Sequence, residues 1–223
     1  MGENNPERSV IGPHQGQRVH TAGMPLDQAQ AAMILLHGRG ASAPSILLLA
    51  EELYHPAYAY LAPQAAGDTW YPYTFLAPIR NNEPWLTSAL STVGNVVAQI
   101  EAAGIAAERI VLGGFSQGAC LAAEFLARNA RRYGGLLVFS GGLIGPPGTS
   151  RDYSGNLDGT PIFLGCSDRD PHIPRERVEE SAEVFERMGA SVTKKLYPSI
   201  GHTIVPDEIK IAREIIRAVD SEG

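Results

Sequence analysis

Two cysteines in 223 residues are too few to staple a fold, and neither C-x-x-C nor any Cys/His spacing of a structural zinc site is present. Cys120 and Cys166 therefore read as buried thiols in a reducing cytoplasm. Positive charge is scarce as well: 18 Lys and Arg stand against 24 Asp and Glu, a net charge of −6. That leaves no basic footprint for a nucleic-acid backbone or an anionic membrane surface, and nucleic acid is not an expected partner. Long apolar runs are missing too. The strings AAMILL and ILLLA fall far short of the roughly 20 residues of a membrane span, and MGENNPERSVIGPHQGQ at the N-terminus holds no apolar signal core. The expectation is an unexported, cytoplasmic protein without stable membrane insertion. No repeat of 20 to 50 residues and no Ser/Gly-rich linker divides the chain.

What is present is a hydrophobic share of 44%, enough for one sizeable core. Residues 1–17 read as an N-terminal arm and 18–223 as a single domain. The 24 glycines and 16 prolines exceed the usual roughly 7% and 5% without a G-x-y period, as in a fold with many tight turns. Short apolar runs at Ala32–Leu36, Tyr58–Ala62, Ile110–Leu112, Gly135–Phe139, Ile162–Gly165 and Val192–Tyr197 predict strands buried on both faces. Helical patterns at Pro44–Leu53, Pro84–Ala103, Gln117–Asn129, Pro174–Met188 and Pro206–Val219 alternate with them. This predicts an α/β fold, a mostly parallel sheet with helices on both faces. Ligands of such sheets gather beyond the carboxyl ends of the strands.

The strand at Ile110–Leu112 runs into Gly113-Gly114-Phe115-Ser116-Gln117-Gly118 and then a helix rich in small residues. A bare G-x-S-x-G would arise by chance about 0.16 times in a chain of this composition. The strand, turn and helix around it are what a nucleophile elbow requires, with Ser116 projecting from the sheet top. A serine hydroxyl needs a base and an orienting acid, in the chain order Ser, acid, His on such a fold. His202 follows the strand Val192–Tyr197 and precedes the last helix, where the base belongs. His172 shares a loop with the candidate acids and reads as a pocket rim or exposed side chain. Of those acids, Asp170 is stiffened by Pro171, whereas Asp168 beside Arg169 also reads as a solvated turn residue. After the first strong strand, His37-Gly38-Arg39-Gly40 bends as a loop aiming an amide inward would, with His37 as its structural brace. The loop lacks the spacing of phosphate-binding motifs.

The strings LLHGRGAS, RIVLGGFSQGACLA, GCSDRDPHIP and YPSIGHTI together resemble the phospholipase/carboxylesterase family of α/β-hydrolases, which includes acyl-protein thioesterases and small bacterial carboxylesterases. The resemblance spans about Ala32 to Ala218. It implies Ser116 as nucleophile, Asp170 as acid and His202 as base, with the backbone amides of Arg39 and Gln117 as the oxyanion hole. It implies a small-molecule ester substrate, no cofactor and no metal, and it allows a homodimer. The eukaryotic thioesterase loop usually reads HGLGD. Here Arg39 and Ala41 replace the apolar residue and the acid, so the guanidinium either meets substrate or pairs structurally.

Trp70, Tyr71 and Tyr73, with Phe75 nearby, fall where the family often carries an aromatic loop. They either wall an acyl pocket with Phe115 or belong to the core. No insertion is long enough for a large helical cap, which predicts an open, shallow pocket suited to small or flexible acyl groups. The implied enzyme is a serine carboxylesterase for short-to-medium acyl esters, with acyl-thioesterase or lysophospholipase activity as the alternative on the same triad. Two competitors are a dienelactone-hydrolase-like enzyme and a non-catalytic protein on the same fold. The first would put Cys at the elbow, but Cys120 lies one helical turn too late. The second would be expected to have lost a triad member, and none is lost.

Overall fold

A computed structural model describes residues 12–221 of the chain. Seven strands run in chain order as β1 (Val19–Gly23), β2 (Ala31–Leu36), β3 (Tyr58–Pro63), β4 (Ile110–Phe115), β5 (Gly135–Phe139), β6 (Pro161–Ser167) and β7 (Ser191–Tyr197). They form one sheet in the order β1-β3-β2-β4-β5-β6-β7. Every neighbouring pair is parallel except β1 with β3, which is antiparallel. The helices are α1 (Ala43–Glu52), α2 (Trp85–Ala102), α3 (Gln117–Arg128), α4 (Arg175–Arg187) and α5 (Pro206–Ser221).

The strand period of two sorts the core into two layers. Ala32, Ile34 and Leu36 of β2 point to the side where α2, α3 and α4 pack through Val93, Leu121 and Phe185. Met33 and Leu35 point to the other side, where α1 and α5 pack through Ile46, Leu49, Ala212 and Ile216. All six residues of β2 are buried, as expected of a central parallel strand covered on both faces.

Two features depart from the sequence pattern. The strand β1, Val-His-Thr-Ala-Gly, carries no apolar run that would predict it. It is an edge strand held by antiparallel pairing from Val19↔Pro63 to Gly23↔Ala59. At the opposite edge β7 is not buried on both faces: Thr193, Lys194 and Lys195 are exposed. Lysines on an edge strand keep it from pairing with other chains.

The chain leaves β2 with β3 on one side and β4 on the other, so the crevice beyond the carboxyl ends of β2 and β4 is the switch point where such sheets bind ligands. Most of the expected N-terminal arm, residues 1–11, lies outside the described residues. Gly12–Gln17 turn back on the domain, and His14 is buried with its ring 5.4 Å from each of Trp70 and Trp85.

Candidate active site

The elbow follows from two glycines. A Cβ on Gly114 would sit 2.6 Å from the Gly118 carbonyl carbon and 2.7 Å from Leu36 O, and one on Gly118 would overlap Leu36 O. Backbone atoms cannot move aside as a flexible side chain can, so both positions require glycine. Between them Ser116 adopts φ 56° and ψ −117°, a sparsely populated conformation that costs about 1–3 kcal/mol. It is held there by Ser116 N donating to Phe139 O and Cys120 N donating to Ser116 O, both at 3.0 Å. Ser116 thereby caps the N-terminus of α3, whose dipole favours developing negative charge.

The candidate acid and base come from the ends of β6 and β7. His202 Nδ1 lies 2.7 Å from Asp170 Oδ2, and since a carboxylate only accepts, the imidazole carries its proton on Nδ1. Asp170 also accepts from the amides of His172 at 2.8 Å and Ile173 at 3.0 Å and from Cys166 Sγ at 3.7 Å. Burial pushes the Asp170 carboxyl up, but the bonds from His202 and the two amides outweigh it and hold the group below the usual carboxylate range. Asp168 has a different task. Its Oδ1 accepts from Ser199 N at 2.8 Å, pinning the turn, with Ser199 at φ 51°, that delivers His202. The His202 ring is flanked by Phe115 at 4.7 Å and by His172 at 4.9 Å.

The oxyanion-hole candidates are tied together through their side chains. Gln117 opens α3, so its N–H is one of those a helix leaves unpaired. Its Oε1 accepts from Trp70 N at 2.9 Å and its Nε2 donates to Tyr71 O at 2.8 Å. The Arg39 guanidinium donates to Tyr71 O at 2.9 Å, to Pro72 O and Thr69 Oγ1 at 3.0 Å, and to Tyr73 O at 2.6 Å. Of the two uses that the sequence left open for Arg39, these contacts are structural pairing. His37 braces the same region from below. Its Nε2 accepts from Ala65 N at 3.1 Å, so Nδ1 holds the proton and donates to Gly38 O at 2.8 Å. Burial, outweighing the bond to Gly38, lowers its pKa and keeps the ring neutral.

Ser116, His202, Arg39 and Gln117 all line one cavity of about 460 Å³. Tyr71, Tyr73, Phe75, Phe115 and Ile173 form its apolar walls, with Cys120 on its inner side and His172 at its edge. Trp70 does not reach it, contrary to its expected place in the pocket. Its indole is fully buried beside His37 at 5.1 Å and donates from Nε1 to His37 O at 2.9 Å. Trp70 is core behind the loop, and Tyr71 is its cavity-facing neighbour.

The sequence profile of the Phospholipase/Carboxylesterase family matches residues 22–220. The chain belongs to the phospholipase/carboxylesterase family. Among similar proteins, acyl-protein thioesterase 1 of Eremothecium gossypii is 30% identical over 87% of this chain and 90% of its own. Acyl-protein thioesterase 1 of Gibberella zeae is 35% identical over 55% of this chain, and the match spans only 53% of that relative's length. A crystal structure of a phospholipase/carboxylesterase from Dyadobacter fermentans superposes with a TM-score of 0.87 at 46% identity, covering 90% of this chain and 96% of that one. The sheet and its flanking helices are those of the α/β-hydrolase fold.

Several residues of this family member that hold the site were not legible as such. The side chain of Gln117, the bracing Asp168 and the buried His14, whose Nδ1 accepts from Ala66 N at 3.0 Å, carry no local motif. Glu208 was not legible as a buried acid either. It is fully buried in α5, and its Oε2 accepts from Val205 N at 2.8 Å. Among the described residues Oε1 has no partner. Burial pushes this carboxyl up to about 7, with Asp207 adding to the effect. Burial also pushes the Cys120 and Cys166 thiols up to about 12, which makes them inert at neutral pH.

Proposed function

We propose that this chain is a serine carboxylesterase acting on small or short-to-medium acyl esters through Ser116, His202 and Asp170. The observation that carries this reading is the 2.7 Å Asp170–His202 pair, whose histidine faces the same cavity as a strained elbow serine. His202, with Nδ1 committed to Asp170, presents Nε2 to take the Ser116 proton as the hydroxyl attacks the ester carbonyl. The amides of Arg39 and Gln117 receive the oxyanion. His202 then protonates the leaving alcohol, and water activated by the same ring releases the acid from the acyl-enzyme. The aromatic walls fit a short apolar acyl group. The same geometry serves thioesters, and the names of the fungal relatives favour that as the second reading. The two buried free cysteines agree with a cytoplasmic setting, and among the described residues no helix is long and apolar enough to cross a membrane.

The test is Ser116→Ala with chromogenic acetate and butyrate esters and their thioester counterparts. Turnover should fall by about 10⁴-fold or more while circular dichroism is unchanged. Retained turnover in that variant ends the proposal.

A further inference from the structure

A second cavity begins at His202 and runs away from Ser116. It measures about 660 Å³ and shares Gly38, Ala41, Phe115 and His202 with the first, but not Ser116. Its walls are Ile46, Leu48 and Leu49 of α1 and Ile204 from the loop before α5. Glu51 and Glu52 line its far end, the latter 3.6 Å from Arg213. Among the described residues no lysine or arginine lines it. Leu48 is 62% exposed, although a helix facing only solvent carries polar residues there.

We propose that this groove is the leaving-group subsite, and that it takes the alcohol portion of an ester whose alcohol has an apolar chain and a neutral or cationic end. The assignment rests on the esterase reading and follows from the direction of the chemistry. In acylation the Ser116 Oγ–C bond forms and the C–O bond to the alcohol breaks, its electron pair staying on the alcohol oxygen. That oxygen takes the proton from His202, so the alcohol must lie on the His202 side of the carbonyl carbon. The acyl group, attached to Ser116, is left to the aromatic cavity. The apolar chain that departs past His202 and Phe115 meets the α1 groove next. From Ser45 to Glu52 the helix rises about 10 Å, the reach of an alcohol of about six to eight carbons. With Glu52 offset by Arg213, the charge of Glu51 at the far end then selects against an anionic terminus.

The test holds the acyl group constant. Acetates of methanol, hexanol, 6-aminohexanol and 6-hydroxyhexanoate pass through one acetyl-enzyme, so deacylation is common to all and the leaving group is read in kcat/KM. Each value is normalised to the ester's hydroxide-catalysed rate. The hexyl ester should exceed the methyl ester by about tenfold or more, on the scale of a filled apolar pocket. The ammonium ester should keep most of that gain and the carboxylate ester should lose it. Leu48→Gln should lower the hexyl-to-methyl ratio several-fold, and Glu51→Gln should narrow the gap between ammonium and carboxylate esters. Equal normalised values for methyl and hexyl acetate, or a ratio untouched by Leu48→Gln, overturn the subsite alone. Absence of turnover with every acetate overturns the esterase reading, and the subsite with it.

Discussion

Arg39 and Gln117 leave different strands, yet both donate to the same atom: Tyr71 O accepts from Arg39 Nη2 at 2.9 Å and from Gln117 Nε2 at 2.8 Å. The two residues whose amides are the oxyanion-hole candidates are therefore linked through the loop that walls the cavity. Arg39→Met should lower kcat/KM by about 10–100-fold, the scale of a small misplacement at the reacting atoms. Arg39→Lys should recover little, since one ammonium cannot reproduce a planar fork reaching four acceptors. Because both grip Tyr71 O, the losses of Arg39→Met and Gln117→Leu should not add in a double-mutant cycle. Full additivity would show that the loop does not couple them.

The two acids after β6 should separate cleanly. Asp170→Asn leaves an oxygen for the amides of His172 and Ile173 but turns an NH2 donor toward His202 Nδ1, which forces the wrong tautomer and should cost about 10³–10⁴ in kcat. Asp168→Asn keeps an oxygen for Ser199 N and should cost less than about tenfold. Steady-state kinetics on one ester decides it; equal losses would mean that Asp168 shares the acid's role. The lowered pKa of Asp170 keeps this carboxylate ionised throughout the pH range in which histidines titrate.

The elbow glycines should tolerate nothing larger. Gly114→Ala meets backbone atoms of Leu36 and Gly118, Gly118→Ala those of Leu36 and His37, and each should destabilise by about 3 kcal/mol or more. Gly104, between α2 and β4, has φ +94° and open space within 4 Å of where a methyl would sit, so Gly104→Ala should cost only about 1–2 kcal/mol of left-handed strain. Denaturant midpoints compare the three.

Glu208 should make stability fall with rising pH. Its folded pKa of about 7 stands above the ordinary 4.5, so between those values the native state holds a proton that the unfolded chain has released. That contribution is complete below about pH 4.5 and is lost as pH rises through 7, about 3 kcal/mol in all. Glu208→Gln should therefore gain stability relative to wild type, by an amount that grows towards that figure between pH 5 and 8. His14 and His37, whose pKa values burial lowers, act oppositely. They cost stability as pH falls through the ordinary histidine range, and they cancel in the comparison. A pH-independent difference between the two proteins would exclude ionisation of Glu208.

The central strands and all five helices were legible because their apolar periodicity is a local property: β2 to β6 are short runs between turn residues, and each helix shows a face. The candidate triad was legible because each member sits just beyond a strand end, at an offset that the chain itself carries. The edge strand β1 was not, since Val-His-Thr-Ala-Gly has no pattern and exists by pairing with β3. Trp70 and Tyr71 are adjacent aromatics that no local rule separates, and only the packing of His14 and His37 around one face of the loop puts Trp70 inside and Tyr71 on the cavity.

By itself, then, the sequence determined the alternation of strands and helices, the glycines that the elbow demands, and the Ser, Asp and His at the strand ends. The tertiary structure decided what those residues touch. It turned Arg39 toward four oxygens of a loop some 30 residues away in sequence, set Asp168 to bracing instead of orienting, and buried Glu208 against Gly165. Local pattern encodes backbone conformation, whereas hydrogen-bond partners and burial depend on segments distant in the chain that meet only when the sheet is assembled.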